Sequence, residues 1–174
     1  KVAYAFMTGH PGKKLLFMGQ EFAQLREWSE ERELDWFLLS EEPHQQIQNW
    51  YRDLLHLYKK NPALYELDND PAGFEWINKD DIFRSIFSFV RHSKGKKKNL
   101  LFVCNFTPVA REDYGVGVPT KRQCKLVLNS DEKEYGGSGE KRTEIYKPVK
   151  KECDGQKYSF AYPLPAYGVA VFEY

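Results

Sequence analysis

This chain has 174 residues, and the side chains best suited to bind or transform a substrate lie within residues 12–36. Residues 15–18 form a short continuous apolar run, which is typical of a strand buried on both faces of a parallel sheet. Glu21 follows directly after a turn at Gly19. Its carboxylate is therefore expected at the carboxyl end of this strand, the rim where (β/α) barrels place their working groups. Alternatively, Glu21 has no functional role and is only a charged loop residue at the end of a core strand.

The segment after this strand, residues 20–39, reads as a long polar and aromatic loop. It carries Arg26, Trp28, Asp35 and Trp36 within a short span. Ordinary connections between elements are shorter, and long loops on a rigid scaffold are where binding residues concentrate. We therefore expect this loop to be functional.

Two helices are predicted to frame the loop. Residues 1–8 read as a buried helix that Gly9 and Pro11 end. In the second helix, one face is apolar at helical spacing and the other is polar. Its apolar residues are Ile47, Trp50, Tyr51, Leu54, Leu55 and Tyr58. Trp50 and Trp76 are assigned to the core or to a domain interface.

Beyond residue 67 the apolar period changes from 3.6 to 2, which indicates strands. The predicted strands are 73–77, 85–92, 99–106, 122–129, 158–164 and 168–174, with weaker candidates at 114–118 and 142–146. Antiparallel strands at this spacing predict a β-sandwich. The residues assigned mostly to its interior are Phe87, Phe89, Phe102, Cys104, Phe106, Cys124, Leu126, Leu128, Tyr158, Phe160 and Tyr162.

Composition narrows the class of protein. With 41% hydrophobic residues the chain can bury a real core, and a net charge of +1 favours neither nucleic acid nor an anionic membrane as a partner. The three cysteines are widely spaced, which fits reduced thiols in the cytoplasm. No membrane span or secretory signal is readable. Because the chain opens within a predicted helix that lacks an N-cap residue, we expect it to be the later part of a longer protein.

Several segments resemble known ligand-binding motifs but lack residues that those motifs require. The GHPGKK segment precedes a strand and lacks the pattern of a phosphate-binding loop, and residues 68–79 lack two ligands of a calcium loop. The four histidines show no zinc pattern, so no metal or cofactor is predicted. The basic run at residues 94–98 is interpreted as a solvated hairpin tip, and the GGSG segment at residues 136–139 as a flexible loop.

The motif GKKLLFMGQEFAQLREW followed by ELDWFLL closely resembles the last barrel strand and following loop of the bacterial 1,4-α-glucan (glycogen) branching enzymes. These enzymes are members of the α-amylase superfamily, glycoside hydrolase family 13. The segments ELDNDPAGFEWI, LFVCNFTPVAREDYGVGVP, NSDEKEYGGSG and LPAYGVAVFEY continue the resemblance to the end of the chain. Gln20 and Leu25 depart from the family's usual Asn and Gly.

The resemblance implies an α+β fold class. Residues 1–66 would be the C-terminal end of the catalytic (β/α)8 barrel, a helix-strand-helix unit, and residues 67–174 an antiparallel all-β sandwich domain. It also implies a cytoplasmic glycosyltransferase that moves α-1,4-glucan segments to 6-hydroxyls of glycogen or amylose. The catalytic carboxylates would lie upstream, so this chain would hold no catalytic residue and would be inactive alone. Its partners would be α-glucan and the upstream barrel, without nucleic acid or membrane.

The candidate glucan-binding residues are Glu21, Arg26, Trp28, Asp35 and Trp36, since a carbohydrate site needs flat apolar faces and hydroxyl-binding polar groups. Alternatively, these residues have structural roles only. Both tryptophans would then hold the loop against the barrel rim, and Arg26 would form an ion pair with Glu21 or Asp35. Two other functions stay open. One is another hydrolase of the superfamily, and the other is a non-catalytic β-sandwich, either a glucan-binding module or a structural cover with an apolar patch where the barrel packs.

Overall fold

A computed structural model describes residues 1–174, with the side chain of Lys96 as the one exception. The α-helices are α1 (Val2–Gly9) and α2 (Glu42–Lys60). The strands are β1 (Phe74–Asn78), β2 (Ile86–His92), β3 (Asn99–Asn105), β4 (Arg111–Val118), β5 (Cys124–Asn129), β6 (Ile145–Tyr146), β7 (Tyr158–Leu164) and β8 (Val169–Glu173). Short 3-10 helices lie at Gln20–Phe22, Trp36–Ser40, Pro62–Leu64, Pro71–Gly73, Lys94–Lys96 and Lys133–Tyr135.

The strands form two antiparallel sheets, which confirms the predicted sandwich. The large sheet has the order β1-β2-β3-β8-β5-β6, and the small sheet consists of β4 and β7. Alternate residues of the large sheet point to opposite faces, so this sheet serves two cores. On one face Val90 and Leu101 pack with residues of β4 and β7. On the other face Phe89 and Phe102 pack with the two helices.

This layering corrects part of the predicted sandwich interior. Phe89, Phe102 and Cys104 are fully buried, but they face the helices and not the small sheet. Phe87 and Phe106 lie on the same side, with ring centroids 5.9 and 5.4 Å from that of Phe6 in α1. Alternation shows which residues share a face, but it does not say which layer covers that face.

The residues from β5 and β7 follow the prediction, with one exception. Cys124, Leu126, Tyr158, Phe160 and Tyr162 belong to or pack against the core between the sheets. Leu128 instead joins the helix-side core. The pairing of β5 with β8 shifts register between Leu126 and Leu128, and such a bulge moves the following side chain to the opposite face.

Both helices form where they were predicted. His10 ends α1, and its backbone N–H donates to the Phe6 carbonyl oxygen at 3.0 Å. Pro43 lies in the first turn of α2, where its missing N–H is tolerated. Trp50 is fully buried, as expected for a core residue. Leu55 was predicted on the apolar face but is 41% exposed.

The predicted strand at residues 15–18 is wrong. Residues 13–17 have no assigned secondary structure, and Leu15 is 72% exposed. A β-strand requires backbone pairing with a neighbour. No parallel strand lies beside this segment in the part of the chain that the structure describes.

The predicted domain boundary between residues 66 and 67 stays a prediction. Residues on both sides of it share one core, in which Val2, Trp50 and Leu54 pack with Leu100 and Val171. The same apolar contacts therefore hold the two helices and the large sheet together.

The GGSG segment forms a turn held by backbone hydrogen bonds, and its interpretation as a flexible loop stays a prediction. The N–H of Gly137 donates to the Glu132 carbonyl oxygen at 3.0 Å, and that of Gly139 to the Asp131 carbonyl oxygen at 2.8 Å. A Cβ atom on Gly137 would lie 2.2 Å from the carbonyl carbon of Asp131. Gly137 is therefore needed here for the close approach of the two backbone segments.

The run at residues 94–98 joins β2 to β3, and its described lysine side chains are exposed, as expected for a hairpin tip.

Among the described residues no helix is long and apolar enough to cross a membrane.

Candidate functional site

The loop that carries the five predicted site residues is anchored on the two helices. The Tyr4 hydroxyl donates to the Gln20 carbonyl oxygen at 2.7 Å. His44 of α2 donates from Nδ1 to the Phe22 carbonyl oxygen at 2.7 Å, and Phe22 itself is fully buried. These contacts fix the start of the loop on a rigid support, which is what a binding loop requires.

Gln24 organises the middle of the loop. Its backbone N–H donates to the Gly19 carbonyl oxygen at 2.9 Å. Its side-chain amide donates to the Arg26 carbonyl oxygen at 3.0 Å and accepts from the Asp35 N–H at 2.7 Å. One side chain therefore ties together three points of the loop. The sequence analysis missed this residue, because nothing in the order of residues shows which backbone groups an amide will reach.

Arg26 and Asp35 form a two-point ion pair. Arg26 Nε donates to Asp35 Oδ2 at 2.8 Å, and Nη2 contacts Oδ1. The hydrogen bonds from Arg26 lower the pKa of Asp35, and the pair raises the pKa of Arg26. Asp35 is 5% exposed, whereas the Arg26 side chain is 55% exposed. The carboxylate is thus occupied within the loop, and the outer surface of the guanidinium faces solvent.

Glu21 lies at the boundary between the loop and the helices. Burial raises the pKa of Tyr4, and the nearby Glu21 carboxylate raises it further. Burial likewise raises the pKa of Tyr51, with Tyr4 and Glu21 as additional causes. The Tyr4 and Tyr51 rings meet edge to face at 5.4 Å. The Glu21 carboxylate thus adds to the effect of burial in raising the pKa of both phenols.

The two tryptophans lie in different surroundings. The Trp28 ring meets Phe17 edge to face at 5.4 Å and is 39% exposed. Trp36 lies 5.1 Å from the buried Phe22 and is 48% exposed. Each indole thus packs on one side and keeps accessible surface on the other, a combination that suits stacking on a sugar ring.

A cleft in this loop brings together two of the five predicted residues, Arg26 and Trp28. Its lining also includes residues that were not predicted from the sequence to bind a ligand, namely Phe17, Met18, Gln20, Gln24, Leu25 and Glu27. Glu21, Asp35 and Trp36 do not line it. The cleft combines an indole, a guanidinium and side-chain amides, which can hold a saccharide by ring stacking and by hydroxyl hydrogen bonds.

Exposed apolar side chains are concentrated along residues 15–37. They are Leu15, Phe17, Met18, Leu25, Trp28, Trp36 and Phe37. Large apolar side chains that stay exposed on a folded protein can mark an interaction site. Within the described residues, no group of three or more histidine, cysteine, aspartate or glutamate side chains is placed to hold a metal ion.

The chain belongs to the family of the alpha amylase C-terminal all-beta domain, whose model matches residues 76–174. The matched residues begin within β1 and cover every later strand. The family match therefore covers both sheets, and the helices and the candidate site lie before it.

Curated relatives match the helices and the loop as well. The chain is 50% identical over 174 residues to a 1,4-alpha-glucan branching enzyme of Butyrivibrio fibrisolvens, covering 100% of this chain and 27% of that protein. It is 45% identical over 170 residues to such an enzyme of Clostridium perfringens strain SM101, covering 97% of this chain and 25% of that protein. The chain thus spans about a quarter of the length of these relatives.

Proposed function

We propose that this chain is the C-terminal part of a 1,4-α-glucan branching enzyme. The parent protein would cut α-1,4-linked glucan and transfer the released segment to a 6-hydroxyl, which forms an α-1,6 branch. The observation that carries this proposal is the 50% identity to a branching enzyme over the whole chain, which includes the candidate loop and not only the β-domain.

In this proposal the reacting carboxylates belong to the rest of the parent. Retaining transfer between sugars needs a nucleophilic carboxylate and an acid/base carboxyl about 5 to 5.5 Å apart across the scissile bond. In the candidate loop Asp35 is held by Arg26, and the acidic residues from position 27 to 33 are exposed. Exposed carboxylates lack the burial and fixed partners that tune a catalytic pair.

Residues 1–66 would then be the final helix-strand-helix of the catalytic barrel. The segment at residues 13–18 supports this assignment, because its apolar residues 15–18 are largely exposed and it pairs with no strand among the described residues. In the parent it would pair with neighbouring barrel strands and bury Leu15 and Phe17. The β-domain would act as a cover that fixes the two helices through the shared core.

The candidate loop would contact glucan at the rim of that barrel. Trp28 and Trp36 would offer their exposed ring faces to sugars, and Arg26 and Glu21 would bind hydroxyls, with Asp35 holding Arg26 in place. The enzyme would act in the cytoplasm on glycogen or amylose without a metal or cofactor from this chain.

The test uses the full-length protein that contains this chain, with amylose as the substrate. The expected result is a fall in iodine absorbance together with new α-1,6 linkages detected by NMR. Release of reducing sugar without α-1,6 linkages would identify a hydrolase of the same superfamily instead. Repurified residues 1–174 should show no turnover, and branching by this chain alone would contradict the placement of the catalytic carboxylates.

Trp28→Ala in the full-length protein tests the role of the candidate loop. Loss of one stacking face should lower kcat/KM for amylose roughly tenfold. Tyr65→Ala is the control, because Tyr65 is an aromatic of similar exposure, 43% against 39%, that packs on Tyr58 of α2. Equal kcat/KM values for the two variants would show that Trp28 does not contact glucan.

A further inference from the structure

A second cleft lies within the β-domain. It is lined by residues at the start of β4, at the end of β7 and in the turn that follows β5. The lining residues are Ala110, Arg111, Glu112, Asp131, Ser138, Glu140, Arg142, Pro163, Leu164, Pro165 and Ala166. Its volume of about 360 Å³ falls within the range of small-ligand sites. It shares no lining residue with the cleft around Trp28.

The polar wall of this cleft is a connected network. Arg142 donates from Nη2 to Asp131 at 3.0 Å and from Nη1 to Glu140 at 2.6 Å. Asp131 also accepts from the backbone N–H and the hydroxyl of Ser138, at 2.9 and 2.5 Å. The Arg142 side chain is only 8% exposed. Asp131, Ser138 and Arg142 are thus held in place before any ligand arrives, which lowers the entropy cost of binding.

The turn that carries this network is itself rigid. Tyr135 stacks edge to face on Trp50 of α2 at 5.1 Å, and its hydroxyl donates to Asp53 at 2.8 Å. The GGSG turn follows directly and places Ser138, Glu140 and Arg142 along one wall of the cleft. The wall is therefore fixed to the helix layer as well as to the sheet.

Charge in the cleft disfavours an anion. Two guanidiniums, of Arg111 and Arg142, stand against three carboxylates, of Glu112, Asp131 and Glu140. A ligand that both donates and accepts hydrogen bonds without net charge fits this mixture, and sugar hydroxyls do both. The Nε–H groups of Arg111 and Arg142 are buried and have no acceptor among the described residues, so the hydrogen-bonding capacity of the two arginines is not fully used within the protein.

The opposite wall is apolar. It is formed by the half-buried rings of Pro163 and Pro165 with Leu164 and Ala166. The flat C–H surface of a pyranose ring can pack on such side chains while its hydroxyls turn to the polar wall. An apolar wall that faces a network of hydrogen-bond donors and acceptors is the pattern of a saccharide site.

We infer that this cleft is a non-catalytic binding site for a segment of α-glucan. The inference rests on the proposed function for the identity of the saccharide, and it adds a second place on the molecule where that polymer is held. A second contact on a long chain raises the effective concentration of the polymer at the catalytic barrel without any new chemistry.

The test is hydrogen exchange of the full-length protein with and without maltoheptaose, read by mass spectrometry. We expect slower exchange of residues 131–142 and 163–166 in the presence of the sugar. The double variant E112A/E140A should lose this protection and bind maltoheptaose at this cleft at least roughly tenfold more weakly. Both side chains are exposed, so the variant should fold. Glu152→Ala, an exposed carboxylate outside this cleft, should keep the protection.

The outcomes separate this inference from the proposed function. Branching activity without protection of residues 131–142 would overturn the inference alone. Protection that persists in the double variant would also overturn it. Protection that depends on Glu112 and Glu140 in a protein without branching activity would support the saccharide site and contradict the proposed function.

Discussion

Arg91 Nη1 donates to the Gly9 carbonyl oxygen at 2.8 Å, which joins β2 directly to the end of α1. The guanidinium is fully buried, and it also donates to Asp68 at 2.5 Å and to the Gly73 carbonyl oxygen at 3.2 Å. One side chain thus satisfies three acceptors, one at the end of α1 and two in the segment before β1. It connects the helix layer, the segment before β1 and the large sheet.

Arg91→Ala should therefore destabilise the whole protein. The variant leaves the Asp68 carboxylate and two carbonyl oxygens without their donor, and breaking a buried ion pair in this way costs about 3–5 kcal/mol. Urea unfolding followed by tryptophan fluorescence measures the loss. Arg52→Ala is the control, since the Arg52 side chain is 55% exposed and contacts Asp53 only at 3.5 Å. A difference of less than about 1 kcal/mol between the two variants would contradict the role given to Arg91.

The ion pair between Arg26 and Asp35 predicts a dependence of loop stability on pH. Because Arg26 lowers the pKa of Asp35 below its ordinary 3.8, the pair stabilises the folded loop above that pH. The stabilisation is lost as the pH falls through the lowered pKa. Asp35→Asn should therefore be less stable than the wild type at neutral pH, and the difference should shrink in acid. A difference in unfolding free energy that grows as the pH falls from 5 to 2 would contradict the pairing.

The GGSG turn predicts a clear difference between two glycine substitutions. Gly137→Ala places a Cβ atom 2.2 Å from backbone atoms of Asp131, and the turn must open to accept it. Gly155→Ala is the control, because Gly155 has a positive φ of 70° but open space around it. The control should lose only about 1 kcal/mol and Gly137→Ala more. Equal thermal midpoints for the two variants would show that the turn is a flexible linker.

The unpaired segment at residues 13–18 predicts fast local exchange in the isolated chain. Its backbone lacks the ladder of hydrogen bonds that protects β3, which pairs on both sides with β2 and β8. Residues 13–18 should exchange faster than residues 99–105 in the 174-residue chain and should become protected in the full-length protein. Equal protection of the two segments in the monomeric chain would show that residues 13–18 already have backbone partners.

Much of the architecture could be predicted because its signals are local. The alternation in β2 and β3 and the helical spacing in α2 repeat over enough residues to identify each element without knowledge of its neighbours. The resemblance of residues 12–39 to branching enzymes identified the loop that carries the candidate site. Of the residues predicted there, Arg26 and Trp28 line one cleft.

Tertiary structure decided the features that depend on distant partners. Residues 15–18 have the composition of a buried strand but lack a neighbour to pair with, and Phe89 and Phe102 alternate correctly but are covered by helices. A register shift in β5 turned Leu128 to the opposite face. The reason is common to all of these features. Composition and period depend on neighbours along the chain, whereas pairing and burial depend on which surfaces meet after the chain has folded.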